Sequence, residues 1–266
     1  MSEVIKLSSP ATRDFWELPV LFEDEHLLAV EKPSRLLTSP DRYDPKRPNL
    51  MKLLHAGIEQ GKPWAKERGL SYLMNAHRLD FETSGVILLA KTKPVLVALA
   101  NMFGSETVLR KFYVALVHGN PAKEKFEIDA RLAPHPVKVG LIRVDEKNGK
   151  RAITQFELLE KFSGYSLLQC RPVTGRTHQI RVHLRQAGLP IIADSLYGGS
   201  PLLLSRLKPG YRLKRNKIEN PLMDRVALHA AGLELAHPVT GAQLVIKSPW
   251  PKDLMVALKY LRQYAA

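Results

Sequence analysis

The sequence predicts an α+β fold built on a mixed, mostly antiparallel sheet flanked by helices. Two observations carry that expectation. Strand-like runs mostly follow one another, and helical stretches are inserted between groups of them instead of alternating one for one. The 266 residues, 45% hydrophobic, are enough for a sizeable core, with no repeat, low-complexity linker or composition shift to mark a separate domain.

Taken in order, residues 1–19 read as an irregular lead-in. Val20 to Phe22, the turn-like Glu23-Asp24-Glu25, and His26 to Val30 then form a hairpin, ended by Lys32-Pro33. Residues 34–48, rich in proline and charge, are loop. Asn49 is placed to cap a helix with Leu50, Leu53 and Leu54 on one face. A polar loop from Gly61 to Gly69 leads to an apolar strand, Val86 to Ala90, and a helix, Pro94 to Phe103. Strands are expected at Arg110 to Val117, Val137 to Val144, Ala152 to Leu159 and Tyr165 to Cys170. Asn148-Gly149 reads as a hairpin turn between two of them. Thr177 reads as the N-cap of a helix that runs to Gln186 and is closed by Gly188. A final strand pair, Leu233 to Ala236 and Gln243 to Ile246, precedes an amphipathic helix from Asp253 to Tyr264.

Lys and Arg total 40 against 26 Asp and Glu, a formal charge of +14 and a pI near 9.8. Such an excess favours a polyanionic partner, above all nucleic acid. Cys170 is the single cysteine, so no intrachain disulfide forms, which fits a reducing compartment. It lies in an apolar strand, as a buried structural thiol does. Neither a secretory h-region nor a stretch of membrane-spanning length occurs, and a cytoplasmic protein is expected.

Four segments carry chemistry. In His77-Arg78-Leu79-Asp80-Phe81-Glu82-Thr83-Ser84-Gly85, one carboxylate sits on a small-residue turn beside Arg78. A carboxylate held ionised there suits a nucleophile or a base better than it suits a core. Lys111 to Gly119 places Lys111 and Tyr113 on one strand face, where Tyr113 is free either to stack on a base or to fill half-buried sheet surface. Thr174-Gly175-Arg176-Thr177-His178-Gln179-Ile180-Arg181 puts a basic and polar cluster at a helix start, which favours anions. The acid-free stretch 195–218 holds Arg206, Lys208, Arg212, Lys214, Arg215 and Lys217 around Tyr211, and reads as an exposed insertion touching phosphates. His178 and His183 are five apart, off the four-residue spacing of a metal-binding helix pair. Neither a phosphate-binding loop nor a dinucleotide fingerprint is present, so neither metal nor cofactor is expected.

The order of these motifs resembles the RluA-type pseudouridine synthases. Further matches are Glu31-Lys32-Pro33, Pro190-Ile191 with Asp194 and Tyr197-Gly198, Leu228-His229-Ala230, and His237-Pro238 with Thr240-Gly241; the likeness runs from about Val20 to Asp253. It implies a sheet in two lobes with the active cleft between them. It also implies isomerisation of uridine in structured RNA, ribosomal or transfer, without cofactor. By the same resemblance Asp80 is the catalytic aspartate, which attacks the ribose or removes a sugar proton. Tyr113 is the tyrosine that stacks on the base, and Arg176 the arginine that pairs with the aspartate. Arg78 fills the gap when the target nucleotide swings out, a movement that detaching a stacked base requires. His77, Thr83, Gln179, Arg181, Arg212, Lys214 and Arg215 are expected as further RNA contacts, and the segment from Asp41 to Gly69 as another. The stretch before the first family-like strand is too short for a small N-terminal RNA-binding module, so 20–266 is expected as a single catalytic domain and a monomer. The competing expectations are a non-catalytic RNA-binding or RNA-chaperone protein on the same fold, and a nuclease. Keeping all of Asp80, Tyr113 and Arg176 argues against the first, and the lack of clustered metal ligands against the second.

Overall fold

The computed structural model describes residues 3–41, 44–106, 108–213 and 217–266. Its strands are β1 (Val4–Ser9), β2 (Asp14–Glu23), β3 (Leu27–Lys32), β4 (Met74–Asn75), β5 (Ser84–Ala90), β6 (Leu109–His118), β7 (Lys125–Pro134), β8 (Ile142–Val144), β9 (Lys150–Phe162), β10 (Tyr165–Pro172), β11 (Leu228–Ala236) and β12 (Gln243–Lys247). Its helices are α1 (Leu50–Glu59), α2 (Pro63–Lys66), α3 (Lys93–Gly104), α4 (Gln179–Gln186), α5 (Leu204–Leu207) and α6 (Lys252–Tyr264). The chain divides into two compact units, Met1–Lys111 with Ala230–Pro249, and Phe112–His229 with Trp250–Ala266.

In the first unit the strand order is β1-β2-β3-β5-β11, with β4 also on β5 and β12 on β11. β3 and β5 read as near-continuous apolar runs, and all seven residues of β5 are buried, the pattern of strands covered on both faces. Leu27, Ala29, Val86, Leu88, Leu99, Leu233, Leu235 and Ile246 make up much of one core. Asn49 caps α1 as expected, its side-chain oxygen accepting the Lys52 N–H at 3.0 Å. The expected irregular lead-in is instead a hairpin: β1 pairs with β2 from Val4↔Pro19 to Ser9↔Asp14. The physical reason is a period of two, for Ile5, Leu7 and Ser9 are buried while Lys6 and Ser8 are exposed.

In the second unit the order is β6-β10-β9-β7-β8, all antiparallel. The strand expected over 137–144 shrinks to Ile142–Val144, and β7 stands where the sequence reading has none. Asn148-Gly149 does not close a hairpin, because β8 and β9 both pair with β7. The Asp145 carboxylate instead accepts the Lys147 and Asn148 N–H groups, and Gly149 N–H reaches Asp145 O at 2.8 Å. The last helices also differ little from expectation except at one start. α4 begins at Gln179, not Thr177, and its N-cap His178 adopts the left-handed conformation with φ 53°.

Candidate active site

The Asp80 turn is built by the loop that follows β3. Thr38, 2% exposed, uses its hydroxyl twice: it accepts the Leu79 N–H at 3.1 Å and donates to Leu79 O at 3.0 Å. Arg35 N–H donates to Phe81 O at 2.7 Å, and Ser34 Oγ to Glu82 O at 2.7 Å. Lys32 is fully buried, and its ammonium donates to Pro33 O and Leu36 O, each at 2.7 Å, and to Phe81 O at 3.5 Å. Inside the turn, Thr83 N–H reaches Asp80 O at 3.2 Å. The backbone is therefore fixed on both sides of Asp80, whose side chain is partly buried, while Arg78 is exposed. Arg47 lies over the Phe81 ring, 4.0 Å from its centre.

Three motif residues belong to the frame of the turn. Thr83 is 2% exposed, so it presents little to an RNA. His77 Nε2 accepts the Leu88 N–H at 3.0 Å, which puts the proton of the neutral ring on Nδ1, and its ring stacks on Phe103 with centres 4.5 Å apart. Burial, and secondarily the charge of Lys111, lowers its pKa to about 3, so it carries no charge at neutral pH. Gly85, at φ 114°, leaves no room for a side chain, because a Cβ there would overlap the backbone of Ala230.

Arg176 sits on a loop clamped to β9 by one amide. Gln179 Oε1 accepts the Arg176 N–H at 2.9 Å and the Thr174 hydroxyl at 2.7 Å. Its Nε2 donates to Ile153 O at 2.8 Å and to Thr154 Oγ1 at 2.9 Å. Thr174 Oγ1 in turn accepts the Ile153 N–H at 3.0 Å. Arg176 itself is exposed, and its Nε donates to Arg151 O at 3.0 Å. Gln179, expected as an RNA contact, is buried, and both ends of its amide are hydrogen-bonded inside the protein.

Arg181, also expected as an RNA contact, is likewise engaged inside the protein. It is 5% exposed and holds Asp194, 1% exposed, through Nε–Oδ2 at 2.7 Å and NH2–Oδ1 at 2.8 Å. Its guanidinium lies 4.9 Å from the centre of the Tyr197 ring. The Tyr197 hydroxyl accepts the Ile142 N–H at 3.0 Å and shares a hydrogen bond of 2.8 Å with His178 Nδ1. Tyr197, Thr38 and Lys32 have no functional assignment in the sequence reading, and His178 has only its place in the anion-favouring cluster. The signal for His178 and Tyr197 was their place inside the quoted motifs, but only the fold joins them.

Tyr113 lies on β6 opposite Cys170 of β10 and is partly buried. Burial pushes the Cys170 thiol well above its ordinary range, as expected for a structural cysteine. Asp80 belongs to the first unit, Tyr113 and Arg176 to the second. Arg212 is exposed, and Lys214 and Arg215 lie outside the described residues. Among the described residues no group of His, Cys, Asp and Glu is arranged to hold a metal ion, and no helix is long and apolar enough to cross a membrane.

Comparison with known proteins first defines the class. The fold matches the structure of Human RNA Pseudouridylate Synthase Domain Containing 4 with a TM-score of 0.66 at 22% identity, over 91% of this chain and 92% of that one. Residues 26–186 match the family model for RNA pseudouridylate synthase. The chain is 34% identical to Ribosomal large subunit pseudouridine synthase D of Zymomonas mobilis over 97% of its own length and 77% of the relative's. It is also 34% identical to Ribosomal large subunit pseudouridine synthase C of Salmonella typhi, over 92% of its length and 70% of the relative's. The chain belongs to the RNA pseudouridylate synthase family and is an RNA pseudouridine synthase, an isomerase.

Proposed function

We propose that the chain isomerises uridines of large-subunit ribosomal RNA, with Asp80 as the carboxylate that acts on the ribose. The observation that carries the assignment of Asp80 is the double anchoring of its turn by Thr38, Arg35 and Ser34, which fixes the backbone while the side chain stays partly accessible. A reacting group held by a frame of this kind loses little entropy on reaching its geometry. In the reaction the bond from the ribose to N1 of uracil breaks, the base turns, and a bond from the ribose to carbon 5 forms. The proton on carbon 5 leaves and N1 gains one, so no cofactor is called for. Tyr113 stacks on the turning base and helps to remove that proton. Arg176 is the arginine that pairs with the Asp80 carboxylate once RNA is bound. Arg78, exposed next to the turn, fills the gap left by the flipped nucleotide.

The ribosomal substrate rests on the names of the relatives and on the formal charge of +14. The protein is proposed to act in the cytoplasm as a monomer. Pseudouridine mapping of total RNA from cells with and without the protein tests the substrate: sites should vanish from large-subunit ribosomal RNA, and losses confined to transfer RNA would overturn it. Asp80→Asn should bind the same RNA and form no pseudouridine.

A further inference from the structure

The geometry points to a second RNA-binding surface, an aromatic shelf of Tyr260 and Tyr264 on α6 with Lys208 over the Tyr264 ring, that takes an unpaired stretch of the substrate. This inference rests on the reading of RNA as the substrate. α6 buries Leu254, Ala257, Leu258 and Leu261 along one stripe. Tyr260 and Tyr264, four residues apart, lie beside that stripe and stay partly exposed. Their rings are nearly parallel, 11° between planes and 6.2 Å between centres. Lys208, the residue after α5, holds its ammonium 5.8 Å from the centre of the Tyr264 ring, and α5 packs on α6.

Charge selects the occupant. The stretch 195–218 has six cations and no acid, and 250–266 has three cations and one acid. That acid, Asp253, is engaged by the Arg225 guanidinium at 2.6 and 2.8 Å. Glu160 is engaged in the same two-pronged way by Arg262, at 2.8 and 2.7 Å. Glu219, next after the basic stretch, accepts the Ser205 N–H at 2.8 Å. Asp253 and Glu160 are thus paired with arginines while Lys208, Arg212, Lys217, Lys252 and Lys259 stay exposed. A lipid surface would need the apolar stripe of α6, which is already buried in the protein. Flat aromatic faces between exposed cations suit unpaired nucleotides, whose bases stack without regard to sequence.

The test uses the full chain and two versions of one large-subunit ribosomal RNA fragment, with and without a single-stranded uridine tail. Replacing both Tyr260 and Tyr264 by Leu should weaken binding of the tailed fragment about 10-fold and leave the trimmed one unchanged. Replacement of both by Phe should keep wild-type affinity, since the ring faces remain. Pseudouridine formation on the trimmed fragment should be unaltered in either variant. Equal weakening on both fragments, with a lowered melting temperature, would show a structural role and overturn the inference. So would unaltered binding of the tailed fragment, including the case in which the Leu variant instead loses a protein partner. A wild-type chain that gains affinity from the tail but modifies neither fragment would break the substrate reading and leave the shelf standing.

Discussion

The Asp80 turn and the Arg176 loop each hold one charged residue, but their frames differ in origin. The Asp80 turn is supported from outside its motif: Thr38 and Ser34 reach it across 41 and 48 residues of chain. The Arg176 loop is supported mainly from inside its motif, where Gln179 and Thr174 tie it to Ile153 and Thr154. The comparison explains why the second motif is long in sequence, because it carries its own scaffold.

The largest expected effect falls in the second region. Arg181→Met would leave the buried Asp194 carboxylate without its partner, a loss of about 3–5 kcal/mol read by denaturant unfolding. Arg181→Lys should recover part of it, lacking the two-pronged geometry. Gln179→Leu comes next. It removes four hydrogen bonds at one site and should cost about 2–3 kcal/mol, with kcat reduced and RNA affinity nearly unaltered. An affinity loss with kcat intact would return Gln179 to the RNA contacts.

Thr38→Val is the matching change in the first region. It preserves shape and removes both bonds to Leu79, so about 1–2 kcal/mol is expected, again with kcat falling. If Thr38→Val lowered stability but not kcat, the frame would hold the fold and not Asp80. Near neutral pH, acid sensitivity is the smallest effect. The pKa of His77 is lowered to about 3 and that of His183 to about 4, each mainly by burial, with nearby Asp129 opposing the shift at His183. Both histidines bind protons in the unfolded chain below about pH 6.5, before the folded chain does. Stability should therefore fall as pH drops from about 6.5 toward the folded values. His77→Gln, which keeps an acceptor for Leu88, should flatten that decline in unfolding titrations from pH 7 to 4.

Much of the fold was legible because its signals are local. The caps and apolar periods of α1, α3 and α6, and the runs of β5, β6, β9 and β10, stand in the sequence. β7 has no place in the sequence reading although Phe126, Ile128, Ala130 and Leu132 alternate with charged residues; of these four only Ala130 and Leu132 are buried, so the apolar face is a weak one. The start of α4 was misplaced because Thr177 has the right chemistry for a cap, while His178 takes the strained position instead. At the site, residue type showed which side chains have reactive or charged groups. It did not show which of them are spent on the frame. Buried Gln179 and Arg181 look like ligands until their partners are known, and two of the four bonds of Gln179 go to residues 25 and 26 positions away.

The first unit is discontinuous in the chain, and this matters on the ribosome that makes the protein. β5 ends at Ala90, and its sheet neighbour β11 begins at Leu228, 138 residues later (228 − 90). At about 5–20 residues per second, the part of the apolar edge Ser84–Ala90 not already paired with β4 at Leu89 and Ala90 waits roughly 7–28 s for that neighbour to be made. A bare strand edge of this composition invites pairing with another nascent chain. Truncation before β11 should therefore yield aggregates, and expression should depend on chaperones that cover the edge until the late strand arrives.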